Sequence, residues 1–298
     1  MTTITIRPLR SLDEMRPVVD LQKSYWGDDL ESFIPAHMLF SIANHGGHVL
    51  TAFDGDRPVG VLVGFLSTNM EEPKRPAMAN LQIFSKRMVV LPEYRSQGIG
   101  YRLKLTQREI AITQGIRLVV WTFDPLLSLN ARLNIRKLGG ICHSYHENYY
   151  GTSGEGGLAK LGTSDRLMLE WWVTNRRVEE RISGSRKDLT LSHYLDADTP
   201  ILNPSTVSHD GILLPAEKTI VPSGTFALLE IPTRYPTLET SNPQLAKAWR
   251  MHTRQMFTQT FSRGFIVTDF LTEEYEGRER SFYLLSYNGP QFDSFSMN

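Results

Sequence analysis

The stretch Val89-Val90-Leu91-Pro92-Glu93-Tyr94-Arg95-Ser96-Gln97-Gly98-Ile99-Gly100-Tyr101 constrains this chain more than any other. Residues 83–91 read as a strand that ends at Pro92. The chain then turns, and a helix over residues 100–114, closed by Gly115, begins within the Gly98–Gly100 stretch. Backbone N–H groups at a helix start have no intrahelical acceptor, and the aligned peptide dipoles add partial positive charge there. Glycines at 98 and 100 let a pyrophosphate approach those donors closely, and Arg95 adds charge from the same turn. A Gly-x-Gly pair alone occurs freely by chance; the strand before it and the helix after it give it weight. The competing reading is a tight turn whose glycines serve backbone geometry only.

Upstream, residues 3–7 alternate as a short strand. Leu12, Met15, Val18, Val19 and Gln22 then fall at helical spacing behind Ser11, with Glu14 completing a capping box. Residues 47–53 and 58–67 are β-rich runs separated by Asp54-Gly55-Asp56-Arg57, a hairpin signal. Residues 116–123 form an apolar strand, and residues 126–138 a helix closed by Gly139-Gly140. From 176 to 223 the composition shifts to a charged run and then to Pro200, Pro204, Pro215 and Pro222, which predicts a connecting region with one or two short strands. A second ordered unit follows over 224–298: strand 226–231, helix 243–263, strands 265–270 and 281–287. Asn242 is a natural N-cap with Pro243 at the first helical position. Leu245, Trp249, His252 and Met256 form one stripe of that helix, read as core packing rather than cofactor contact. The order strand, loop, helix, Gly, strand describes both 83–123 and 226–270. It is either a degenerate duplication or a coincidence of a common βαβ unit.

Composition narrows the function classes. The 298 residues carry 32 Lys+Arg against 32 Asp+Glu, which argues against an electrostatically driven nucleic-acid binder. The local cluster of Arg95, Arg102, Lys104 and Arg108 lacks interleaved stacking aromatics. The single cysteine, Cys142, excludes an intrachain disulfide and a Cys-based zinc cluster, so no metal is expected. The longest apolar run, Val59 to Leu66, is too short to span a bilayer, and MTTITIRPLR lacks the flank and apolar stretch of a secretory leader. A cytoplasmic protein without membrane partners is expected.

Arg95-Ser96-Gln97-Gly98-Ile99-Gly100 resembles the acyl-CoA-binding motif of the GNAT acyltransferase superfamily, Arg/Gln-x-x-Gly-x-Gly/Ala. The order of elements across residues 3–175, a little over half the chain, is similar to that fold. The resemblance implies an α+β GNAT domain over 1–175, with a mixed, mostly antiparallel central sheet flanked by helices. A connecting region over 176–223 and a smaller α/β unit over 224–298 would follow, the latter a candidate degenerate half of the same fold. More narrowly, Trp121-Thr122-Phe123-Asp124-Pro125-Leu126, Asn130-Ala131, Leu138-Gly139, Asn148-Tyr149-Tyr150-Gly151, Ser164-Asp165-Arg166 and Leu245-Ala246-Lys247-Ala248-Trp249-Arg250 resemble a subfamily of predicted acetyltransferases with a long C-terminal extension. Some of its members are linked to N-succinylation of amino acids beside an N-acylamino-acid racemase.

Carried over residue by residue, the resemblance implies acetyl-CoA or succinyl-CoA as co-substrate. The amides of Gln97, Gly98, Ile99, Gly100 and Tyr101, with Arg95 and Ser96 from the same turn, would hold the CoA pyrophosphate. Met88, Val89 and Val90 would pair with the pantetheine arm and present an N–H to the thioester oxygen, the donor a tetrahedral intermediate requires. Asn130 on helix 126–138 would be a further polar contact, and the basic cluster would face the CoA 3′-phosphate. Ile135 stands where many members carry a tyrosine general acid, four residues before the glycine that matches Gly139. A thiol with a pKa of roughly 8.5 is nevertheless a tolerable leaving group.

Transfer to an amine also needs a group that takes a proton. Asp124, Glu147 and Tyr149 are the catalytic candidates; Asp124 reads equally as a turn residue before Pro125, and Tyr149 as sheet packing. His143 and His146 read as solvated or internally bonded. An amino-acid acceptor would bring a carboxylate, for which Arg166 and then Arg87 are the clamps, each alternatively a structural ion pair. The glycine-rich tract 151–157 is a lid over the acceptor or plain surface linkage. Cys142 lacks an activating neighbourhood, which favours direct attack in a ternary complex. The expected function is transfer of an acyl group to a small-molecule amine. The rivals are a non-catalytic acyl-CoA-binding or scaffold protein, and a protein-modifying acetyltransferase with an open peptide groove. The 224–298 unit has no glycine between Thr233 and Asn242; it is expected to bind no CoA and to buttress the acceptor pocket or a homodimer contact.

Overall fold

The computed structural model describes residues 3–28, 33–69, 75–152, 160–209 and 211–287, so most of the glycine-rich tract, from residue 153 onward, lies outside the described residues. The chain divides into two compact units. One comprises Met1–Trp121, Tyr150–Thr163 and Trp171–Asn175; the other comprises Thr122–Tyr149, Ser164–Glu170 and Arg176–Asn298.

The first unit runs β1 (Ile4–Pro8), α1 (Leu12–Trp26), α2 (Ala36–Asn44), β2 (His48–Asp54), β3 (Arg57–Thr68), β4 (Leu81–Val90), α3 (Ile99–Thr113) and β5 (Leu118–Phe123), whose last two residues cluster with the second unit. Ser11 and Glu14 form the expected capping box at the start of α1. The strands lie in the order β1–β2–β3–β4–β5, antiparallel up to β4, with β5 parallel to β4. Alternation along the strands sends Val61, Val63 and Val89 to one face, against Met15, Val18 and Leu21 of α1 and Leu39 and Ala43 of α2. Leu50, Ala52 and Leu62 point to the other face, against Ile99 and Leu103 of α3.

One irregularity sets the character of this sheet. Val63 pairs with Arg87 and Gly64 with Ser85, so Lys86 is an extra residue in β4, a β-bulge. Bulges bend the strand that carries them and raise its local twist. The parallel ladder between β4 and β5 comprises Ile83–Val119 and Phe84–Val120, immediately before the bulge. Beyond it Met88, Val89 and Val90 keep their pairing with Leu62, Val61 and Gly60 of β3, while β5 diverges.

The second unit contains α4 (Ser128–Ala131) continuing into a π-helical turn (Arg132–Lys137), β6 (Ile141–His146), β7 (Arg166–Trp172), α5 (Arg176–Ser183), α6 (Leu191–Asp196), β8 (Thr206–Val207), β9 (Leu213–Leu214), β10 (Phe226–Ile231), α7 (Tyr235–Ser241), α8 (Pro243–Phe261), β11 (Phe265–Tyr275) and β12 (Arg278–Tyr287). Its main strands lie in the order β7–β6–β11–β12–β10. The helix expected over 126–138 is thus shorter and wider. The Asp124 side chain accepts from the Leu126 N–H at 2.9 Å and delays the start, and the Leu138 N–H reaches back to the Leu133 carbonyl at 3.0 Å. Residues 176–223, where one or two short strands were expected, hold two short strands and also two helices. Leu191 and Tyr194 of α6 are buried against Leu228, Leu271, Phe282 and Leu284, a packing the charged and proline-rich composition concealed. The repeat of strand, helix and strand also resolves differently. β4 and β5 are neighbours, whereas β12 lies between β10 and β11.

The α1 cap supplies a pH test. The Arg7 guanidinium, then the Ser11 and Arg10 backbone N–H groups, hold the Glu14 carboxyl at about 2, well below its ordinary 4.5. A depressed carboxylate stabilises the fold above the unfolded value and loses that contribution as pH falls through the folded one. Urea unfolding of the wild type should therefore weaken between about pH 4.5 and about pH 2, and Glu14→Gln should remove part of that slope.

Candidate active site

Local geometry leaves an open, uncapped helix start beyond the end of β4. Pro92–Tyr94 form one 3₁₀ turn, with the Tyr94 N–H on the Leu91 carbonyl at 2.9 Å and the Arg95 N–H on the Pro92 carbonyl at 3.2 Å. Ser96 (φ 61°) and Gly98 (φ 79°) then adopt positive φ on either side of Gln97. Such alternation turns successive N–H groups to one side, a nest for anions. Gly98 is the N-cap of α3 and no side chain caps the helix. The Arg102 N–H is the first to find a helical acceptor, the Gly98 carbonyl at 3.0 Å. Those of Ile99, Gly100 and Tyr101 precede it and keep the unmet donors of a helix start. A Cβ on Gly98 would meet no atom within 4 Å, so the face above the turn is open. Arg95 donates to the Val90 carbonyl at 3.1 Å and lies 5.1 Å over the Tyr25 ring, an exposed cation tethered at the turn.

The structure brings the candidate residues of the motif together: Met88 to Val90 on β4, Arg95 to Gly98 in the turn, and Ile99 to Tyr101 on α3 are consecutive in the first unit. The neighbouring cations disperse. Arg102 donates to the Ile4 carbonyl at 2.7 Å and Arg108 to the Val173 carbonyl at 2.7 Å. Lys104 is buried, 2% exposed. Arg102 and Arg108 are thus held on backbone carbonyls and Lys104 is buried in the core, so the three do not present one joint cationic surface. Arg87 is buried in the first unit, 4.3 Å over the Trp26 ring, with burial lowering its pKa.

Asp124, Asn130, Glu147, Tyr149 and Arg166 belong to the second unit. Asp124 accepts both terminal nitrogens of Arg250, at 2.6 and 2.7 Å, and Arg250 stacks 5.0 Å from the Tyr235 ring. Burial opposes the charge of Asp124, but the Arg250 guanidinium outweighs it and holds the carboxyl below its ordinary range. Asp165, fully buried, accepts from Tyr145, the Asn148 N–H and the Nε and Nη2 of Arg254. Arg166 donates to the Asp165 carbonyl at 2.8 Å. Glu147 is half exposed and lies 3.3 Å from Arg254. Tyr149 is exposed with its ring edge-on to His146 at 5.5 Å, and Asn130 is exposed on α4. Ile135 and Cys142 are both buried, and burial raises the Cys142 thiol far above its ordinary range. Among the described residues no group of acidic, His and Cys side chains could hold a metal ion, and no helix is long and apolar enough to cross a membrane.

Sequence reasoning missed Arg250 and Arg254, whose side chains organise the second unit's carboxylates. The signal for Arg250 was present: Ala246, Arg250, Thr253, Phe257 and Thr260 follow one another at helical spacing, and all are buried, whereas Arg254 lies outside that stripe. That stripe of small, hydroxyl and Arg residues is the inward face beside the Trp249–Met256 line.

A mostly antiparallel sheet flanked by helices, with divergent parallel strands β4 and β5 around an uncapped glycine turn, defines a GNAT fold with additional C-terminal strands. Residues 15–134 match the model of the acetyltransferase (GNAT) family. Among solved structures the chain is similar to NAA60 of Arabidopsis thaliana in complex with acetyl-CoA, with 14% identity over 58% of this chain and 100% of that one, TM-score 0.47. It is also similar to Chaetomium thermophilum Naa20 with a bisubstrate analogue (14% identity, 62% and 93% coverage, TM-score 0.45). The ribosomal-protein-S18-alanine N-acetyltransferase of Escherichia coli shares 11% identity over 58% of this chain and 96% of that one, TM-score 0.44. A search of curated proteins finds no match.

The Asp124–Arg250 pair is testable as a structural unit. Arg250→Met leaves a buried carboxylate without its partner and should cost about 3–5 kcal/mol in urea unfolding. Asp124→Asn combined with Arg250→Met should cost less than the sum of the single substitutions, the signature of direct coupling.

Proposed function

We propose that this chain is an N-acyltransferase that moves an acetyl or succinyl group from acyl-CoA to the amine of a small molecule, an amino acid being one such acceptor. The observation that carries this reading is the uncapped start of α3. Its open N–H groups follow a turn with two positive-φ residues, directly after a strand whose last residues β5 leaves. Anionic pyrophosphate fits such a turn through backbone donors and the helix dipole. The edge of Met88–Val90 offers backbone groups to an extended amide-bearing arm in the manner of an added strand.

Acyl-CoA supplies an activated thioester whose thiol is a tolerable leaving group. The protein's part is to bind it, to fix the carbonyl and to accept a proton from the attacking amine. A backbone N–H at the end of β4 polarises the thioester oxygen as charge develops on it. Glu147 is the best-suited proton acceptor of the three candidates. Asp124 has both oxygens committed to Arg250, and Tyr149 is a phenol that serves as an acid rather than a base. Buried Cys142, with its raised thiol pKa, favours direct attack over an acyl-enzyme. For an acceptor with a carboxylate, Arg166 and Arg87 provide guanidinium groups of matching geometry.

The second reading, a non-catalytic acyl-CoA-binding or scaffold protein, draws on buried Ile135 and the Arg250-bound state of Asp124. Both readings require binding, and turnover separates them.

Calorimetric titration with acetyl-CoA and succinyl-CoA should show micromolar affinity in the wild type. Gly98→Glu should weaken it by roughly 100-fold, because it sets a carboxylate in the open space above the N–H groups. An absence of binding by the wild type would overturn the acyl-CoA reading. In a screen of small amines, release of free thiol should fall by about 10²–10⁴-fold in Glu147→Gln with the acyl-CoA affinity unchanged. Binding without thiol release on any amine would favour the scaffold.

A further inference from the structure

A row of polar side chains crosses the first unit's sheet where the β4–β5 ladder stops. His48 of β2 is in register with Gly64 of β3, and Gly64 with Ser85 of β4. Phe84 and Val120 form the last pair of the ladder, so Ser85 and Trp121 are the next residue on each of the two parting strands. From α3, Lys104 and Gln107 reach down onto this row. Lys104 Nζ donates to Ser85 Oγ at 2.8 Å and to Gln107 Oε1 at 3.3 Å, and lies 3.3 Å from the centroid of the Trp121 ring. Gln107 Nε2 is 2.8 Å from His48 Nε2. The four side chains of His48, Ser85, Lys104 and Gln107 are each at most 6% exposed. Gly64 has no room for a side chain: a Cβ there would come within 2.5 Å of His48 and 2.6 Å of Gln107.

We propose that Lys104 is a positioning residue of the acyl-CoA site: its amine ties Ser85 to Trp121 where the β4–β5 ladder ends, and so fixes the course of β4 into Met88–Val90, the stretch that would pair with the pantetheine arm. The inference rests on the acyl-CoA reading above. Three features carry it. A buried lysine is costly, since the long side chain loses its freedom and the amine its hydration. Burial lowers the Lys104 pKa well below its ordinary value, so the charged form is disfavoured where the side chain sits, and the amine is held there by its contacts with Ser85, Gln107 and Trp121. Its two contacts also fall on the two strands that diverge, one residue beyond their last pair, where the ladder no longer fixes their separation. The N–H on the Trp121 face is a weak bond, but with the Ser85 bond it spans the fork.

Lys104→Met fills a similar volume without the amine and would remove a buried polar group from the core. Titration of the full-length variant with acetyl-CoA and with adenosine 3′,5′-bisphosphate, which lacks the pantetheine arm, separates positioning from folding. The expected result is an acetyl-CoA affinity at least about 10-fold weaker, with the bisphosphate affinity held within about 2-fold of wild type; the thermal midpoint falls modestly, because the buried Ser85 hydroxyl and Gln107 carbonyl lose their donor. Unchanged acetyl-CoA affinity overturns the proposal. So does a parallel loss of both ligands, which would make Lys104 a support of the fold alone. Should Lys104→Met fail to fold, Ser85→Ala removes the amine's partner on β4 and is judged by the same two titrations. Failure of the wild type itself to bind acetyl-CoA is a separate result and overturns the acyl-CoA reading instead.

Discussion

The first unit depends on a strand that its neighbour abandons. Backbone polar groups in a sheet are normally paired on both sides, and leaving an edge inside a sheet costs free energy unless something else meets it. The bulge at Lys86 bends β4 just past its last pair with β5, and the ladder to β3 continues on the other side without a break in the Met88–Val90 stretch. The same strand is thus anchored by one neighbour and exposed to the space left by the other. Both of its faces are packed, by α1 and α2 on one side and α3 on the other, so the edge is held stiffly. The open N–H groups of the α3 start follow that stretch after the turn of residues 91–98.

The second unit is organised by guanidinium groups. Arg250 holds Asp124, Arg254 holds Asp165, Arg280 holds Glu230, and Arg136 and Arg181 both donate to Asp269. The zero net charge of the chain is thus partly an internal balance, with buried charges matched one against another. Buried pairs of this kind contribute little net stability, because desolvation offsets their attraction, yet removing one partner is expensive. They also change what a carboxylate can do. A group held below its ordinary pKa by two guanidinium hydrogen bonds is a poor proton acceptor, which is why exposure and partner count separate Glu147 from Asp124.

What the sequence made legible is what local chemistry decides. The Ser11–Glu14 capping box, the Asp54–Arg57 hairpin, the Asn242 cap and the glycine turn of α3 all depend on residues within a few positions of each other, and each appears where the pattern placed it. What stayed hidden depends on distant neighbours. Lys104 sits on a helix in a basic-looking stretch, and nothing nearby in the chain signals that it faces Ser85 and Trp121 in the core. The helix of residues 176–183 looks like a solvated charged run, but Arg181 turns inward to Asp269, eighty-eight residues away. The polar stripe of α8 was visible as spacing, but its meaning required Asp124, just after β5, and Asp165, just before β7.

The contrast between α3 and α8 shows how two strand–helix–strand strings come to differ. At α8 the first helical residue is Pro243, which has no N–H, and the Asn242 side chain accepts from the Leu245 N–H at 3.1 Å. At α3 the cap is glycine and no side chain takes part. One helix start is therefore closed by its own sequence and the other left with donors to offer. The strands agree with this: β4 and β5 pair and then part, while β10 and β11 are held apart along their length by β12, which hydrogen-bonds to both. The cap residue and the neighbouring strand, rather than the order of elements, separate an open helix start from a closed one.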